Sequence, residues 1–417
     1  MRKLFPFFIA AFLFYVPFSN GEPLTINRFL GTAENDHQLQ SHRELVEHIR
    51  TSPESTPYVD RIEFRTETEE FDIEKQKYSL RFHPRGWGET KCSKKIFQTT
   101  GKAVKAEHDA LFNNVLKNRY ELVLDFLETL SLLNMKKNLL IVYDDEVNVL
   151  RKMSTRDLSF DIRTLVSAED RYVDLQLDLV KLENKLTGII EEIKTIAGYY
   201  EEISFDEKNL IGPERIEEMI RYIQPVPAPD NVRIRYQKLK TELAENRYQF
   251  EIAKNRKYFN FLKLQYDTDD YDEPEKAFSV EVGFNLPFVN PDREDINRRK
   301  RNWLDEKLEY EEEKNKASEK IRSLSASLNR LIRQHRILVN RKPESNAEIS
   351  FKKYMEMEGI NPLTLLKIKK SILESEMRLK RIGYLIRRQY IDLMNITGKL
   401  SEKPLKNYLS ARAEDIK

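Results

Sequence analysis

The sequence contains a single cysteine, Cys92, among its 417 residues. One thiol excludes an intramolecular disulfide and any zinc site built from several cysteines, whatever the redox state of the compartment. Glycine is also scarce, with 12 residues, and long stretches contain neither glycine nor proline. Because these two residues are the strongest helix breakers, their scarcity beside 34% charged residues is typical of solvated helices and coiled coils.

The net charge is also small: the chain has 71 lysines and arginines and 69 aspartates and glutamates, which gives +2. A nucleic-acid partner would require a basic excess, so this balance argues against one. After the N-terminus, no apolar stretch approaches the roughly 20 residues that a membrane-spanning helix needs. A role in a membrane would therefore have to use β-strands.

The longest apolar run lies at the N-terminus. Arg2 and Lys3 precede an apolar stretch from Leu4 to about Phe18, and small residues follow it. This arrangement predicts a secretory signal peptide over residues 1–21. An uncleaved membrane anchor is the alternative, although the run is short for a span. No cysteine comes directly after the run, so a processed N-terminus would offer no acceptor for a lipid.

Hydrophobic periodicity predicts helices, a strand pair and two long helices in the first half. Short helices are expected within residues 22–57. Apolar and polar residues alternate from Ile62 to Arg65 and from Tyr78 to His83, which predicts a β-hairpin. Apolar residues at three- and four-residue spacing then predict helices from about Lys91 to Leu150 and from about Phe160 to Ile196. Together these helices would form a long antiparallel hairpin.

The second half has the same order of elements. Residues 201–230 are rich in proline and predict a linker with one short helix. The segments predicted after it are a helix over 231–257, strands over 258–266 and 278–284, a long helix from Arg293, and a last helix ending at Gly398. The apolar residues of 258–266 do not keep one parity, so a partly helical conformation is an open alternative there. The polar tail, residues 401–417, is expected to be loosely packed.

The order strand pair, long helix, turn, long helix thus occurs twice, in residues 58–200 and 231–400. The two copies also share local sequence at a constant offset of 200 residues. The matched positions are Asp161 and Asn361, Thr164 and Thr364, Leu165 and Leu365, and Ile196-Ala197-Gly198 and Ile396-Thr397-Gly398. One offset that fits both ends of a helix predicts an internal duplication.

A duplicated unit of this kind behind a secretory signal resembles the TolC-like outer-membrane efflux protein family. Three segments carry the more specific similarity. Val280–Phe288 resembles the family's strand-to-helix passage, Gly359–Leu366 its turn at the far helix tip, and Met394–Leu400 its helix-ending segment. The resemblance implies a mainly α fold with a small β part. Long antiparallel helical hairpins would form an α-barrel, and two β-hairpins would give four strands to a trimeric outer-membrane β-barrel.

The resemblance further implies a homotrimer in outer-membrane lipid, with a large periplasmic part that docks on an adaptor protein and an inner-membrane pump. It implies a Gram-negative type of envelope, no enzymatic activity and no cofactor. The sequence agrees with the last two points, because its six histidines show no HExxH motif and no spacing suited to a metal, and no glycine-rich phosphate loop occurs.

Within this resemblance, strand alternation assigns the two faces of the predicted sheet. A short hairpin cannot lie in lipid with an open edge, because every backbone N–H and C=O there needs a partner. The residues expected to face lipid are Ile62, Phe64, Tyr78, Leu80, Phe82, Phe278, Val280, Val282 and Phe284. The residues expected to face a water-filled lumen are Glu63, Arg65, Arg81, Glu281 and Asn285.

The resemblance also assigns the helix tips to an inner mouth, where family members often carry acidic residues just after the turn. The residues of this chain at or near the two tips are Asp157, Asp161, Thr164, Ser167, Gly359, Thr364 and Lys367. The absence of acidic residues from the aligned positions puts an acidic constriction in doubt. A lysine ring that favours anionic cargo and a plain solvated helix face are both open, and the aspartates could form a ring or cap a helix.

Two functions are compatible with the sequence. One is a passive trimeric conduit of a tripartite efflux system. The other is a periplasmic coiled-coil protein, structural or adaptor-like, whose strands form a small soluble sheet; high charge and short hairpins favour it.

Overall fold

The structure, a computed structural model, describes residues 23–52, 57–68, 76–156, 160–198, 202–223, 231–268, 277–285, 293–341, 361–412 and 414–416. Several predictions fall outside these ranges: the signal peptide over residues 1–21, the passage Leu286–Phe288, and the tip residues Asp157 and Gly359. Among the helices of these ranges, none combines the length and the apolar character that a membrane span requires.

Long helices and one four-stranded sheet make up the described chain. The helices are α1 Ile26–Gly31, α2 His37–Thr51, α3 Glu89–Ser154, α4 Ile162–Ala197, α5 Pro213–Ile220, α6 Val232–Asn255, α7 Arg293–Arg341 and α8 Pro362–Ile396. The strands are β1 Val59–Thr68, β2 Gln76–Pro84, β3 Phe259–Asp267 and β4 Phe278–Phe284. Short 3₁₀ turns cover Thr32–Asn35 and Lys399–Ser401. The predicted fold class, mainly α with a small β part, is confirmed.

The duplicated helical hairpins are confirmed by the ends of α4 and α8. Asp161 accepts a hydrogen bond from the backbone N–H of Arg163 at 3.1 Å, and Asn361 accepts one from that of Leu363 at 2.9 Å. At the other end, Gly198 and Gly398 both adopt a left-handed conformation, with φ of 62° and 74°. Equivalent positions therefore begin and end the two helices, as N-cap and C-cap chemistry requires.

All the long helices except α7 pack directly on α3, whose 66 residues span about 100 Å. Helices α2 and α4 contact it, as do α6 and α8, and α7 packs on α6 and α8. Helix α8 ends where α6 begins, since Asn231 Nδ2 donates a hydrogen bond to the carbonyl oxygen of Ile396 at 2.8 Å. A Cβ on Gly398 would lie 3.3 Å from the backbone nitrogen of Val232, so glycine permits this close end-to-end contact.

The main hydrophobic core lies where the middle of α3 meets the N-terminal segment, α5 and the C-terminal tail; we call it the waist core. Phe29, Ile216 and Leu409 are completely buried in it. The prediction of a loosely packed tail was wrong, because Tyr120 OH donates to the carbonyl oxygen of Lys406 at 2.9 Å and accepts from the N–H of Tyr408 at 3.1 Å. Tyr408 and Leu409, two buried residues within a polar stretch, thus anchor the tail.

A buried arginine holds the N-terminal segment on α3. Arg119, 1% exposed, donates to the carbonyl oxygen of Phe29 at 3.1 Å, to the Thr32 hydroxyl, and to Asp36 Oδ2 at 3.2 Å. Burial lowers the pKa of the guanidinium from its ordinary value, and the Asp36 carboxylate opposes that shift. Pairing thus compensates for the cost of burying this charge.

Replacement of Leu409 by alanine tests the packing of the tail. Leu409 is completely buried. We expect Leu409→Ala to lower the free energy of unfolding by about 2–5 kcal/mol, because it leaves a cavity in the waist core. The matched control, Lys406→Ala, removes an exposed side chain and should stay within about 0.5 kcal/mol of wild type. Equal unfolding midpoints for the two variants in urea titrations would contradict a packed tail.

Candidate functional site

The sheet has one apolar face that runs across all four strands. Its order is β1-β2-β3-β4, and each neighbouring pair is antiparallel. Residues that pair directly point to the same face. One paired row is Ile62, Phe82, Leu262 and Val282, and the next is Phe64, Leu80, Leu264 and Val280. Tyr78, Tyr266 and Phe278 form a third row, so the residues predicted to face lipid share this face.

Strand β3 is complete, and the partly helical alternative was wrong. The pairing of β3 with β4 is irregular between Phe259 and Phe261. Odd-numbered residues of β3 therefore point to one face of the sheet before this position and to the other face after it. Phe259 therefore pairs with Phe284, with ring centroids 5.7 Å apart, whereas Phe261 pairs with Gly283 on the opposite face. The mixed parity in the sequence reflects this irregularity.

The apolar face is uncovered in the single chain. Phe64, Phe278 and Val280 expose 66%, 69% and 67% of their surface, although they lie in neighbouring rows of large apolar residues. Water-soluble monomers rarely leave such a large apolar face in contact with water. The face therefore requires another medium or another molecule to cover it.

The opposite face is charged. Its central row pairs Glu63 with Arg81, Arg81 with Lys263, and Lys263 with Glu281. Glu63 also forms ion pairs along its own strand, with Arg61 at 2.6 Å and Arg65 at 2.7 Å. Glu63, Arg65, Arg81 and Glu281 thus lie on one polar face. Asn285 follows the end of β4, where its Nδ2 donates to the carbonyl oxygen of Lys257 at 2.9 Å.

Phe261 is the residue on this face that the sequence interpretation missed. The Cζ of Arg81 lies 4.4 Å from the centroid of the Phe261 ring. A Cβ on Gly283 would lie only 2.4 Å from Cε1 of that ring, so the ring covers the glycine. Glycine inside a strand often marks such a close approach, and Gly283 was the available signal.

The sheet also has two open edges. In the described part of the sheet, β1 pairs only with β2 and β4 pairs only with β3. The outer backbone groups of β1 and β4 are consequently free to pair with a further strand. Both edges belong to the same molecule and run antiparallel to each other, because the sheet has an even number of antiparallel strands.

At the far end, the tips of the two helical hairpins lie together. Val147 and Leu150 of α3 bury against Leu165 and Ala168 of α4, and Leu363 at the start of α8 packs on this cluster. Lys370 of α8 places its Nζ 4.5 Å from the centroid of the Tyr143 ring of α3. Each hairpin tip is therefore attached to the other by apolar and cation–π contacts.

The predicted tip residues lie on the surface around this cluster. Thr164, Ser167, Thr364 and Lys367 are exposed. Asp161 caps α4, and hydrogen bonds from Arg163 lower the pKa of its carboxyl group. Capping is thus one role of Asp161. In the described ranges, no group of three or more histidine, cysteine or acidic side chains is arranged to hold a metal ion.

Replacement of Gly283 by alanine tests the contact with Phe261. We expect Gly283→Ala to lower the free energy of unfolding by about 1–3 kcal/mol, because the new methyl group displaces the ring. In a Phe261→Ala background the same change should cost much less. Gly188→Ala on α4 is the control, since nothing lies within 4 Å of its new Cβ, and it should be neutral or stabilising. Equal costs of Gly283→Ala in both backgrounds would contradict the contact.

Comparison with known proteins gives the fold a family context. No model of a protein family matches the sequence, and no curated protein matches it. Solved structures do: the outer membrane protein VceC from Vibrio cholerae matches at 14% identity and TM-score 0.62, covering 89% of this chain and 96% of that one. The open-state outer membrane channel MtrE from Neisseria gonorrhoeae matches at 12% identity and TM-score 0.62, and the match covers 93% of this chain and 90% of that one. The Campylobacter jejuni outer membrane channel CmeC matches at 14% identity and TM-score 0.59, and the match covers 94% of this chain and 86% of that one. The chain therefore has the fold of TolC-like outer-membrane channels.

Proposed function

We propose that this chain is the outer-membrane channel of a tripartite efflux system, a passive trimeric conduit from the periplasm to the exterior. The observation that carries the proposal is the sheet, which combines one exposed apolar face, one charged face and two open edges. If β4 of each copy pairs with β1 of the next, four strands from each of three chains close a barrel of twelve. Closed barrels with even strand numbers are the β-structures that outer membranes contain.

The apolar interior of a lipid bilayer favours closure of the sheets into a barrel. The strands contain 10, 9, 9 and 7 residues, close to the roughly 9–11 that a tilted strand needs to cross the hydrocarbon. Closure satisfies the free backbone groups of β1 and β4, which lipid would otherwise leave without partners. The apolar face would then contact lipid, and Glu63, Arg65, Arg81 and Glu281 would line a polar lumen. Asn285 would lie at the inner end of that lumen.

The helices would form the periplasmic part, and the hairpin tips would contact the partner proteins. Thr164, Ser167, Thr364 and Lys367 would surround the inner mouth, with Asp157, Asp161 and Gly359 nearby. Splaying of the tips would open it. An adaptor protein and an inner-membrane pump are the partners that the TolC-like fold suggests, and a cleaved signal peptide would direct export of the chain.

Single-channel recording tests the proposal directly. Purified mature protein, reconstituted into a planar lipid bilayer, should produce discrete conductance steps, and its mass in detergent should equal that of a trimer. A well-folded, water-soluble monomer without conductance would overturn the channel and favour the periplasmic coiled-coil alternative. Heat-denatured protein from the same preparation controls for contaminating pores.

Two adjacent residues of β4 test which face of the sheet contacts lipid. Val280 lies on the apolar face and its neighbour Ser279 on the polar face. We expect Val280→Arg to destabilise the inserted barrel by about 2–4 kcal/mol, because the charge would enter the hydrocarbon. Ser279→Arg should be tolerated and should change conductance instead. The measurement is the amount of trimer in the outer-membrane fraction, and equal amounts for the two variants would contradict the assigned faces.

A further inference from the structure

A groove of 1290 Å³ lies between α2 and α3 near the sheet. Its lining is apolar at the end next to the sheet, where Ile49 of α2 meets Phe97 and Gly101 of α3. Ile49 Cγ2 lies 3.4 Å from the position that a Cβ on Gly101 would take, so the two helices approach closely there. Val46 lies one turn before Ile49 and lines the groove as well.

The end of the groove away from the sheet is basic. Arg43 and Lys105 line it, Lys102 follows Gly101 in the middle of the groove, and all three are exposed. The acidic residues of the lining already have partners in the chain, because Glu47 pairs with Arg50 at 2.8 Å and Asp109 pairs with Arg235. Arg43, Lys102 and Lys105 form no ion pair with any residue in the described ranges. The groove therefore presents unpaired positive charge next to an apolar floor.

The outer face of α7 has the complementary pattern. Leu304 and Leu308 follow each other at one helical turn and expose 42% and 64% of their surface. Glu311 and Glu312 come on the next turn of the same face and are also exposed. Each pairs along its own helix, Glu311 with Lys314 at 3.9 Å and Glu312 with Lys316 at 3.0 Å. Exposed pairs of this kind contribute little stability, so the two carboxylates can exchange these lysines for basic residues of another molecule. Two exposed leucines followed by two exposed glutamates match, in kind and in order, the apolar and basic parts of the groove.

The two surfaces also lie at the same level along the helices. Asn246 of α6 contacts Thr99 of α3 at 3.1 Å, and two residues further on Tyr248 stacks on Trp303 of α7. Nearer the waist, Arg235 of α6 pairs with Asp109 of α3, while Arg233 pairs with Glu313 of α7 at 3.0 Å. Leu304 is thus roughly level with Gly101, and Glu311 and Glu312 are level with the turn that follows Lys105.

Chain connectivity brings these surfaces together between copies. Helix α2 leads into the edge strand β1, and the other edge strand, β4, leads into α7. Pairing of β4 with β1 of the next copy would place α7 beside the neighbour's α2. A cyclic assembly rotates copies without shifting them along the axis, so surfaces at the same level meet.

We propose that the α2–α3 groove of one copy receives α7 of the neighbouring copy, with Leu304 and Leu308 on the apolar floor and Glu311 and Glu312 on Arg43 and Lys105. The proposal rests on the trimer proposed above and names the surfaces that hold it together. It makes the helical part, and not only the barrel, responsible for the choice of partner, because opposite charges meet only in the ring arrangement.

Charge reversal tests the ionic part. One double variant, Arg43→Glu with Lys105→Glu, reverses the charge of the groove, and another, Glu311→Lys with Glu312→Lys, reverses the charge of the helix. Each should raise the monomer fraction in detergent about tenfold or more. All four substitutions in one chain should restore the trimer, since the charges again match. The control pair, Lys238→Glu with Glu242→Lys, reverses two exposed residues of α6 at the same level and should leave the trimer unchanged. An effect no larger than that of the control, or no restoration, overturns the proposal.

Cross-linking tests the contact itself. In a Cys92→Ser background, Val46→Cys combined with Leu308→Cys should give covalent dimers and trimers under oxidation, whereas each single cysteine should not. Trimeric, conducting protein that fails to cross-link would overturn this interface and leave the channel proposal in place. Wild-type protein that is monomeric and non-conducting would overturn both. Cross-linking of the double-cysteine chain beside normal conductance supports both.

Discussion

The packing of α3 is the constraint on which the rest of the molecule depends. A helix of 66 residues gains most of its stability from tertiary contacts, and α3 obtains them from different helices at different heights. Near the sheet it packs on α2 and α6. At the waist it meets α1, the tail and the C-terminal part of α8. Toward the tip it packs on α4 and the start of α8. Because the buried face changes along its length, α3 has no single apolar stripe, and it joins the sheet to the tips as one rigid element.

The sheet follows from this arrangement rather than from a core of its own. Its strands continue from the ends of α2, α3, α6 and α7, so the helices fix the distance between the two hairpins. The resulting sheet has no second layer among the described residues, and its large apolar side chains are exposed. At roughly 25 cal/mol per Å² of apolar surface, leaving such a face in water costs several kcal/mol that burial in lipid would recover. The helices thus determine the position of a surface whose stability depends on its surroundings.

Much of this fold could be predicted from the sequence because its signals are local. Asp161 and Asn361, and Gly198 and Gly398, mark helix ends by capping chemistry that acts within a few residues. The faces of β1, β2 and β4 follow from strict alternation. The exceptions need information from elsewhere in the chain: β3 changes parity where it pairs with β4, and Tyr408-Leu409 is anchored by Tyr120, 288 residues away from Tyr408. The contact of Phe261 with Gly283 on the charged face of the sheet likewise appears only when distant residues come together.

The two halves of the duplication differ in a way that suits a ring. Helix α6 has 24 residues and lies between α3 and α7, whereas α2, which leads into the first hairpin as α6 leads into the second, has 15. A shorter α2 leaves the groove beside α3 open on one side, while α7 presents a projecting face on the other. A closed ring of three copies requires such a heterologous pair of surfaces, because a self-complementary surface would stop at a dimer. In the proposed ring, the unequal halves of the chain would supply both the groove and the helix that enters it, and the copy number would follow from the angle at which they meet.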